Sequence, residues 1–225
     1  MNIKIIPAIL ARSAEEFEQQ INAIKNQTNW LQLDIADGEF VPNKTWAQPK
    51  GVRNHRDVNF ELHLMVKDPL RELEKWVDIK NVKKVFIHFE SNKNRDAALE
   101  FARQHGWQTG LVINPLTPTA KIEKYLDKID ALMFMGVNPG FQGQTFVHSV
   151  LGKIKKIKAA HAKIPVSIDG AVNFATLPEI VKTGVDAVCI GSTIFGNQKT
   201  PAENMERIRE IINNLMKTKQ KFNKN

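Results

Sequence analysis

The sequence predicts an α/β fold, specifically a single-domain (β/α)8 TIM barrel. Short apolar segments recur along the whole chain, segments with helical periodicity separate them, and no linker or composition break divides the chain. Strands that are nearly continuous apolar runs are typical of a parallel sheet covered by helices. Because 225 residues match one barrel of eight βα units, we favour a closed barrel over a doubly wound sheet.

Eight predicted strands and seven predicted helices alternate along the chain. The strands are 3–6, 30–35, 59–65, 84–89, 109–113, 131–135, 165–169 and 187–190. The helices are 13–25, 69–77, 95–105, 120–126, 147–161, 177–183 and 202–216. In the first helix, Phe17, Ile21 and Ile24 share one face. Ser13 and Glu16 have the spacing of a capping box at its start.

The charge distribution separates a barrel from a basic tail. The chain has 32 Lys and Arg against 24 Asp and Glu, a net charge of +8. Four of the lysines lie in residues 217–225, which contain no acid, so we assign 1–216 to the barrel and 217–225 to a flexible tail. Five lysines between residues 153 and 163 lack aromatic neighbours for base stacking, so we expect a solvated helix face and no nucleic-acid partner.

Cysteine content and hydropathy predict the cellular compartment in which the protein occurs. Cys189 is the single cysteine, which excludes an intramolecular disulfide and a cysteine-based zinc site and is typical of a reducing compartment. Its apolar surroundings indicate a buried core residue. No convincing leader peptide and no membrane-length apolar run is present. We therefore expect a cytoplasmic protein with no membrane partner.

Polar side chains lie where the predicted strands end, which is where barrel enzymes hold their active sites. The period of two places Gln32 and Asp34 on one face of the second strand, His63 lies near the end of the third, and Asp169 ends the seventh. Taken singly, such residues are also typical of turns and satisfied core positions. Two carboxylates and one imidazole are together a donor set for a divalent metal ion. We therefore predict that Asp34, His63 and Asp169 converge on a metal.

Glycine-rich turns follow the sixth and eighth predicted strands. Their residues are Gly140, Phe141, Gln142, Gly143, Gly191 and Ser192. Backbone N–H groups in such turns, ahead of a helix, bind phosphate, and phosphate sites recur after the last strands of this architecture. Ordinary turn formation is the alternative. Their placement at the ligand end of the barrel favours a small phosphorylated ligand.

These segments together resemble the ribulose-phosphate 3-epimerase family. The matching segments are 6–10, 34–43, 63–66, 88–90, 114–118, 137–146, 169–173 and 191–195. The resemblance covers essentially the whole chain, and its most specific parts are the Phe-Val-Pro-Asn turn at 40–43 and the Asn-Pro-Gly-Phe loop at 138–141. It implies a barrel of the ribulose-phosphate-binding type.

The resemblance implies an isomerase of the pentose phosphate pathway that interconverts ribulose 5-phosphate and xylulose 5-phosphate. Asp34 and Asp169 would be the catalytic base and acid that move the C3 proton from one face to the other. One divalent cation, commonly zinc, iron or manganese, would stabilise the enediolate, held by Asp34, His63 and Asp169. The residues corresponding to the family's substrate-contacting positions are Ala8, His63, Met65 and Met135, and Gly170 and Ala171 join the phosphate set. Family members are usually homo-oligomers.

Four residues depart from the family pattern. Gln32 replaces the histidine that is the fourth metal ligand, so we expect weaker zinc or iron binding and a shift toward manganese or magnesium. Ala8 replaces a serine, Ala36 a methionine and Ala171 a glycine. These departures keep two alternatives open: an epimerase of another ketose phosphate such as a hexulose 6-phosphate, and a non-catalytic phosphosugar-binding protein.

Overall fold

Eight parallel strands close into a barrel in the computed structural model, which describes residues 3–140, 143–196 and 198–222. The strands are β1 Lys4–Ile9, β2 Trp30–Ala36, β3 Asn59–Met65, β4 Val82–His88, β5 Gln108–Ile113, β6 Ala131–Met135, β7 Val166–Asp169 and β8 Ala187–Ile190. Each strand pairs in parallel with its neighbours in sequence, and β1 pairs with β8. The predicted (β/α)8 barrel is therefore confirmed.

Helices follow the strands around the outside of the barrel. They are α1 Ala14–Ile24, α2 Pro49–Arg53, α3 Pro69–Leu73, α4 Arg95–Gln104, α5 Glu123–Leu126, α6 Ser149–Ala160, α7 Leu177–Lys182, α8 Ser192–Phe195 and α9 Pro201–Phe222. Two 3-10 turns, Glu74–Trp76 and Thr119–Ile122, complete segments predicted as continuous helix. The sequence did not indicate α2 and α8, because helices of five and four residues are too short to show a hydrophobic period.

The first helix shows how local sequence sets an element's ends. The Ser13 hydroxyl accepts a hydrogen bond from the Glu16 N–H over 3.2 Å. The Glu16 carboxylate reaches back to the N–H of Arg12, over 2.7 Å, one residue before the cap that a capping box would use. Phe17 and Ile21 on the predicted apolar face are fully buried. The Ser13 cap thus fixes where α1 begins, and the apolar residues determine which face of the helix packs against the barrel.

Alternate residues of the strands divide the core into two layers. Leu31, Leu33 and Ile35 of β2 pack in the large cluster shared with the helices. A smaller cluster, which includes Met133, Met135 and Cys189, fills the barrel interior. Burial raises the pKa of the Cys189 thiol well above its ordinary value, as expected for a core residue. The alternation leaves the other face of β2 for polar side chains directed into the barrel.

The basic segments contact the body of the protein in several places. Residues 217–222, assigned from the sequence to a tail, continue α9, and residues 223–225 lie outside the described part of the chain. Lys153 on α6 donates hydrogen bonds to the carbonyls of Pro115 and Thr117, and Lys158 pairs with Asp186 over 2.7 Å. No helix among the described residues is long and apolar enough to cross a membrane.

Candidate active site

Asp34, His63 and Asp169 lie together at the carboxyl end of the barrel strands. Asp34 on β2 is the register partner of His63 on β3. The His63 Nδ1 atom lies 2.9 Å from Asp34 Oδ1 and 3.3 Å from Asp169 Oδ2. All three side chains are buried. Side chains from three strands, one of them distant in sequence, thus form one cluster, as the strand-end argument anticipated.

The Gln32 amide lies inside the same cluster. Its Nε2 donates hydrogen bonds to Asp34 Oδ1 over 2.8 Å and to Asp169 Oδ2 over 2.6 Å, and it lies 3.4 Å from His63 Nδ1. Its Oε1 atom is buried and has no hydrogen-bond partner. The end of the amide that faces the carboxylates is therefore the donor end, which cannot ligate a cation.

Burial and charge set the protonation of this cluster. Burial and the nearby charge of Asp169 raise the pKa of Asp34. Burial lowers the pKa of His63, but hydrogen bonds to Asp169 and Asp34 outweigh it and raise that pKa to about 10. At neutral pH His63 is therefore an imidazolium beside the carboxyl groups of Asp34 and Asp169.

The cluster fits a divalent cation. Asp34, His63 and Asp169 each offer one ligand atom, and these atoms all lie within 4.8 Å of one another. Two ligand atoms on one zinc ion lie at most about 4.4 Å apart, twice the longest of its ~2.0–2.2 Å bonds, and His63 Nδ1 lies within that distance of both aspartates, at 2.9 and 3.3 Å. A half-turn of the Gln32 amide would exchange its two ends and direct the orphaned Oε1 at the same space. A cation would then satisfy an acceptor that otherwise has no partner.

A second histidine continues the cluster away from the carboxylates. His88, at the end of β4, is fully buried, and its Nε2 lies 2.9 Å from His63 Nε2. Burial lowers the pKa of His88 to about 4, so it is neutral. Its Nδ1 lies 3.5 Å from Glu90 Oε2. No role for His88 and Glu90 was predicted from the sequence, although the period of two at a strand end could have indicated that they share a face.

The predicted substrate and phosphate residues line one pocket above the cluster. These residues are Ala8, His63, Met65, Met135, Gly140, Gly143, Gly170, Ala171, Gly191 and Ser192. Phe141 and Gln142, the other predicted phosphate residues, lie outside the described part of the chain. The loop containing Gly140 and Gly143 precedes α6, which begins at Ser149, two residues later than predicted.

The turn after β7 adopts a conformation that favours glycine twice in succession. Gly170 has φ +95° and Ala171 has φ +52°. A Cβ on Gly170 would lie 2.7 Å from Val137 Cγ2, so the position admits only glycine without a shift. The Ala171 carbonyl accepts hydrogen bonds from Thr176 Oγ1 over 2.7 Å and from Asn173 Nδ2 over 3.2 Å. These bonds help to hold Ala171 in its left-handed conformation.

The turn after β2 is built around Asp37. One oxygen of its carboxylate accepts hydrogen bonds from the N–H groups of Glu39 and Phe40, and the other accepts from the N–H of Lys67. The small Ala36 side chain packs with Val41, Met65 and Phe40. Asp37 therefore shapes the rim of the site, and its carboxylate is already committed to backbone donors.

Comparison with known proteins places the chain among phosphosugar enzymes. The model of the Ribulose-phosphate 3 epimerase family matches residues 4–195. The chain is 31% identical to a ribulose-phosphate 3-epimerase of Bacillus subtilis over 202 residues, 86% of this chain and 93% of that protein. It is 33% identical to a ribulose-phosphate 3-epimerase of Rhodobacter capsulatus over 218 residues, 92% of this chain and 95% of that protein.

Solved structures support the architecture. A 3-hexulose-6-phosphate synthase from Salmonella typhimurium superposes with a TM-score of 0.71 at 12% identity, covering 95% of this chain and 100% of that chain. KGPDC from Streptococcus mutans superposes with a TM-score of 0.71 at 13% identity, covering 95% of this chain and 98% of that chain. At such low identity these likenesses show the fold alone.

Proposed function

The chain belongs to the ribulose-phosphate 3-epimerase family, and on that premise we propose that it is an isomerase that interconverts ribulose 5-phosphate and xylulose 5-phosphate. The observation that carries the proposal is the pair of buried carboxylates, Asp34 and Asp169, at one pocket. The reaction inverts the configuration at C3. It needs one group that removes the C3 proton and one that delivers a proton to the other face.

Asp34 and Asp169 are the groups that exchange these protons. Each direction of the reaction requires one carboxylate and one carboxylic acid, and the roles reverse with direction. Burial and the nearby charge of Asp169 raise the pKa of Asp34, which favours its protonated form. A pair that holds one proton between its members is the starting state that such an exchange requires.

A bound divalent cation supplies Lewis-acid stabilisation for the negative charge that develops when C3 loses its proton. Asp34, His63 and Asp169 would hold it, and Gln32 Oε1 would be a fourth ligand after rotation of the amide. Three of these four ligand atoms are oxygens. We propose that this set binds manganese or magnesium in preference to zinc or iron, because the harder ions favour oxygen.

The pocket walls contribute by excluding water and competing proton donors. Met65 and Met135 line the pocket beside the carboxylates. A thioether has no hydrogen to donate, so neither side chain can protonate the substrate. Ala8, where the family pattern has serine, also leaves its part of the wall without a hydroxyl donor.

Phosphate recognition falls on backbone donors. Among the described residues that line the pocket, none is lysine or arginine. Gly140, Gly143, Gly170 and Ala171 line the pocket and each has a backbone N–H that can donate, and Ser192 adds a hydroxyl. We propose that these turns bind the phosphate of the sugar, which leaves the net charge of +8 without a role in substrate binding.

Deuterium exchange at C3 tests this function. Incubation with ribulose 5-phosphate in deuterated water and added Mg²⁺, Mn²⁺ or Zn²⁺ should introduce deuterium at C3, read by NMR after chelation of the metal. Asp34→Asn and Asp169→Asn should each lower interconversion by a factor of about 10² or more. Asp127→Asn, at an exposed position, is the matched control and should retain activity.

Two outcomes would assign a different function. Faster exchange with a hexulose 6-phosphate than with ribulose 5-phosphate would identify an epimerase of that substrate. Sugar-phosphate binding without exchange under any metal condition would identify a non-catalytic phosphosugar-binding protein. Full activity of either aspartate variant would reject the role assigned to that residue.

We also propose that the protein acts in the cytoplasm as a homo-oligomer without a nucleic-acid partner. The buried, single Cys189 supports a reducing compartment, and the pairing of Lys153 and Lys158 with neighbouring groups supports a structural use of that helix face. Light scattering tests the oligomeric state, and cell fractionation tests the location. Tight binding to DNA or RNA with a steep salt dependence would contradict the proposal that the protein has no nucleic-acid partner.

A further inference from the structure

The segment His88-Phe89-Glu90 at the end of β4 matches the family pattern but has no part in the function proposed above. We propose that His88 and Glu90 are positioning residues that hold the hydrogen of His63 on Nε2 and so leave Nδ1 free to ligate a cation. The inference rests on the proposed ligand role of His63. It concerns two residues that contact neither the proposed metal position nor the reacting carbon.

The orientation of the His63 ring determines which hydrogen-bonding group His88 must present to it. His63 directs Nδ1 at the carboxylates, 2.9 Å from Asp34 Oδ1, so this nitrogen is the one that can ligate. A neutral imidazole that ligates through Nδ1 carries its hydrogen on Nε2. His63 Nε2 lies 2.9 Å from His88 Nε2. His88 must therefore present a lone pair at Nε2 and carry its own hydrogen on Nδ1.

Glu90 favours that form of His88. Its Oε2 atom lies 3.5 Å from His88 Nδ1, and both atoms are buried without another partner. A hydrogen on Nδ1 lies on the side of this carboxylate and is attracted by its negative charge. A hydrogen on Nε2 would instead face the hydrogen of His63 and would leave a lone pair facing a carboxylate. The carboxylate thus selects the tautomer of His88, which selects the tautomer of His63.

The surroundings hold these groups in place. Glu90 Oε1 accepts hydrogen bonds from the Asn114 N–H over 3.0 Å and from the Thr117 hydroxyl, which directs Oε2 toward His88. The His88 and His63 rings are nearly coplanar, with an interplanar angle of 24° and centroids 5.1 Å apart, and Phe40 packs against His88 with ring centroids 5.0 Å apart. Full burial leaves His88 no water as an alternative partner.

Nitrogen NMR of the zinc-loaded protein reads the tautomers directly. Protein labelled with ¹⁵N-histidine should show His63 with a protonated Nε2 and a metal-bound Nδ1, and His88 with a protonated Nδ1. A chromophoric chelator measures Zn²⁺ affinity in parallel. His88→Leu removes the acceptor at similar volume, and His88→Gln restores an oxygen acceptor. His55→Leu, at a histidine outside the pocket, is the matched control.

We expect His88→Leu to weaken Zn²⁺ binding about 10–100-fold, and His88→Gln and His55→Leu to stay within about threefold of the parent protein. Unchanged affinity in His88→Leu would overturn the proposal. Equal losses in the Leu and Gln variants would also overturn it, because the packing of the ring and not its acceptor would then matter. A parent protein that binds no Zn²⁺ would overturn it as well.

Glu90→Gln tests the role of Glu90, and it replaces His88→Leu as the test if that variant does not fold. Its amide oxygen can still accept from Asn114 and Thr117, while its NH₂ faces His88 Nδ1. The proton should then leave Nδ1 of His88, and Zn²⁺ affinity should fall about tenfold. Unchanged ring-nitrogen shifts would overturn the proposal. Neither the ring-nitrogen shifts nor the Zn²⁺ affinity requires turnover. If both behave as expected but no deuterium enters C3, the proposed function is contradicted and the role of His88 and Glu90 is not.

Discussion

Gln32 Nε2 donates a hydrogen bond of 2.6 Å to Asp169 Oδ2 and so links β2 to β7 inside the barrel. A second bond from the same nitrogen reaches Asp34 Oδ1 over 2.8 Å. The residue that departs most from the family pattern therefore contacts both carboxylates assigned to proton transfer. Glutamine stands here in place of the family's histidine, and both carboxylates remain in place beside it.

Gln32→His should tighten Zn²⁺ binding by roughly tenfold or more, about 1.4 kcal/mol, because imidazole is a better ligand for zinc than an amide oxygen. Competition with a chromophoric chelator measures the change. Gln19→His, at an exposed position on α1, is the control and should leave the affinity unchanged. Equal affinity in Gln32→His and the parent would place residue 32 outside the coordination sphere.

Removal of divalent ions should abolish C3 exchange, and Mn²⁺ or Mg²⁺ should restore it. Without a cation, the charge that develops next to C3 has no Lewis acid to stabilise it. Exchange is followed after treatment with a chelator and then after addition of each ion. Undiminished exchange in protein shown by elemental analysis to contain no metal would contradict the assigned metal site.

Metal affinity should rise with pH below about 10. The pKa of His63 is raised to about 10 in the cation-free site, so its imidazole is protonated at neutral pH. A cation that binds Nδ1 must displace that proton, which predicts a roughly tenfold gain in affinity per pH unit and a plateau above the pKa. Titration calorimetry in buffers of different ionisation enthalpy counts the released proton. An affinity that does not change between pH 6 and 8 would exclude this competition.

Ala171→Gly should stabilise the protein by about 1 kcal/mol, because φ +52° costs a residue with a Cβ roughly that amount. For a chain of this length the gain corresponds to about 2–4 °C in Tm. Ala175→Gly, in the same turn but without a positive φ, is the matched control and should lose about 0.4–1 kcal/mol. Two losses of equal size would show that Ala171 is not strained.

Gly170→Ala should destabilise the protein more than Gly184→Ala. Both positions have positive φ, +95° and +86°, so both substitutions impose backbone strain. Only the first places a Cβ against a neighbour, 2.7 Å from Val137 Cγ2, whereas nothing lies within 4 Å at Gly184. The difference in unfolding free energy, measured in urea, isolates the clash and should be about 1–3 kcal/mol. Equal effects would show that Val137 moves aside at no cost.

The sequence predicted the barrel well because its strands are marked by composition alone. Three of the eight strands, β3, β6 and β8, begin and end at the predicted residues, and the others differ by a few positions. Asp34, His63 and Asp169 could also be expected to converge, because parallel strands end at the same edge. Both conclusions depend on local patterns and on one general property of the fold.

Other features depend on contacts that the sequence does not show. The direction of the Gln32 amide is set by the carboxylates of Asp34 on β2 and Asp169 on β7. Asp169 lies 137 positions from Gln32 along the chain. The left-handed conformation of Ala171 is concealed because alanine ordinarily avoids it. The link from His63 through His88 to Glu90 depends on the register of β3 and β4 and on a loop that ties Glu90 to Asn114.

The position of solvent deuterium after a single turnover shows whether two carboxylates act on opposite faces of the substrate. If Asp34 and Asp169 act on opposite faces of the substrate, xylulose 5-phosphate formed from ribulose 5-phosphate in deuterated water carries deuterium at C3 from its first turnover, while the remaining ribulose 5-phosphate stays unlabelled. That result is the one we predict. Product that retains the original C3 proton, or a protein that introduces no deuterium with any added cation, would contradict the two-carboxylate mechanism.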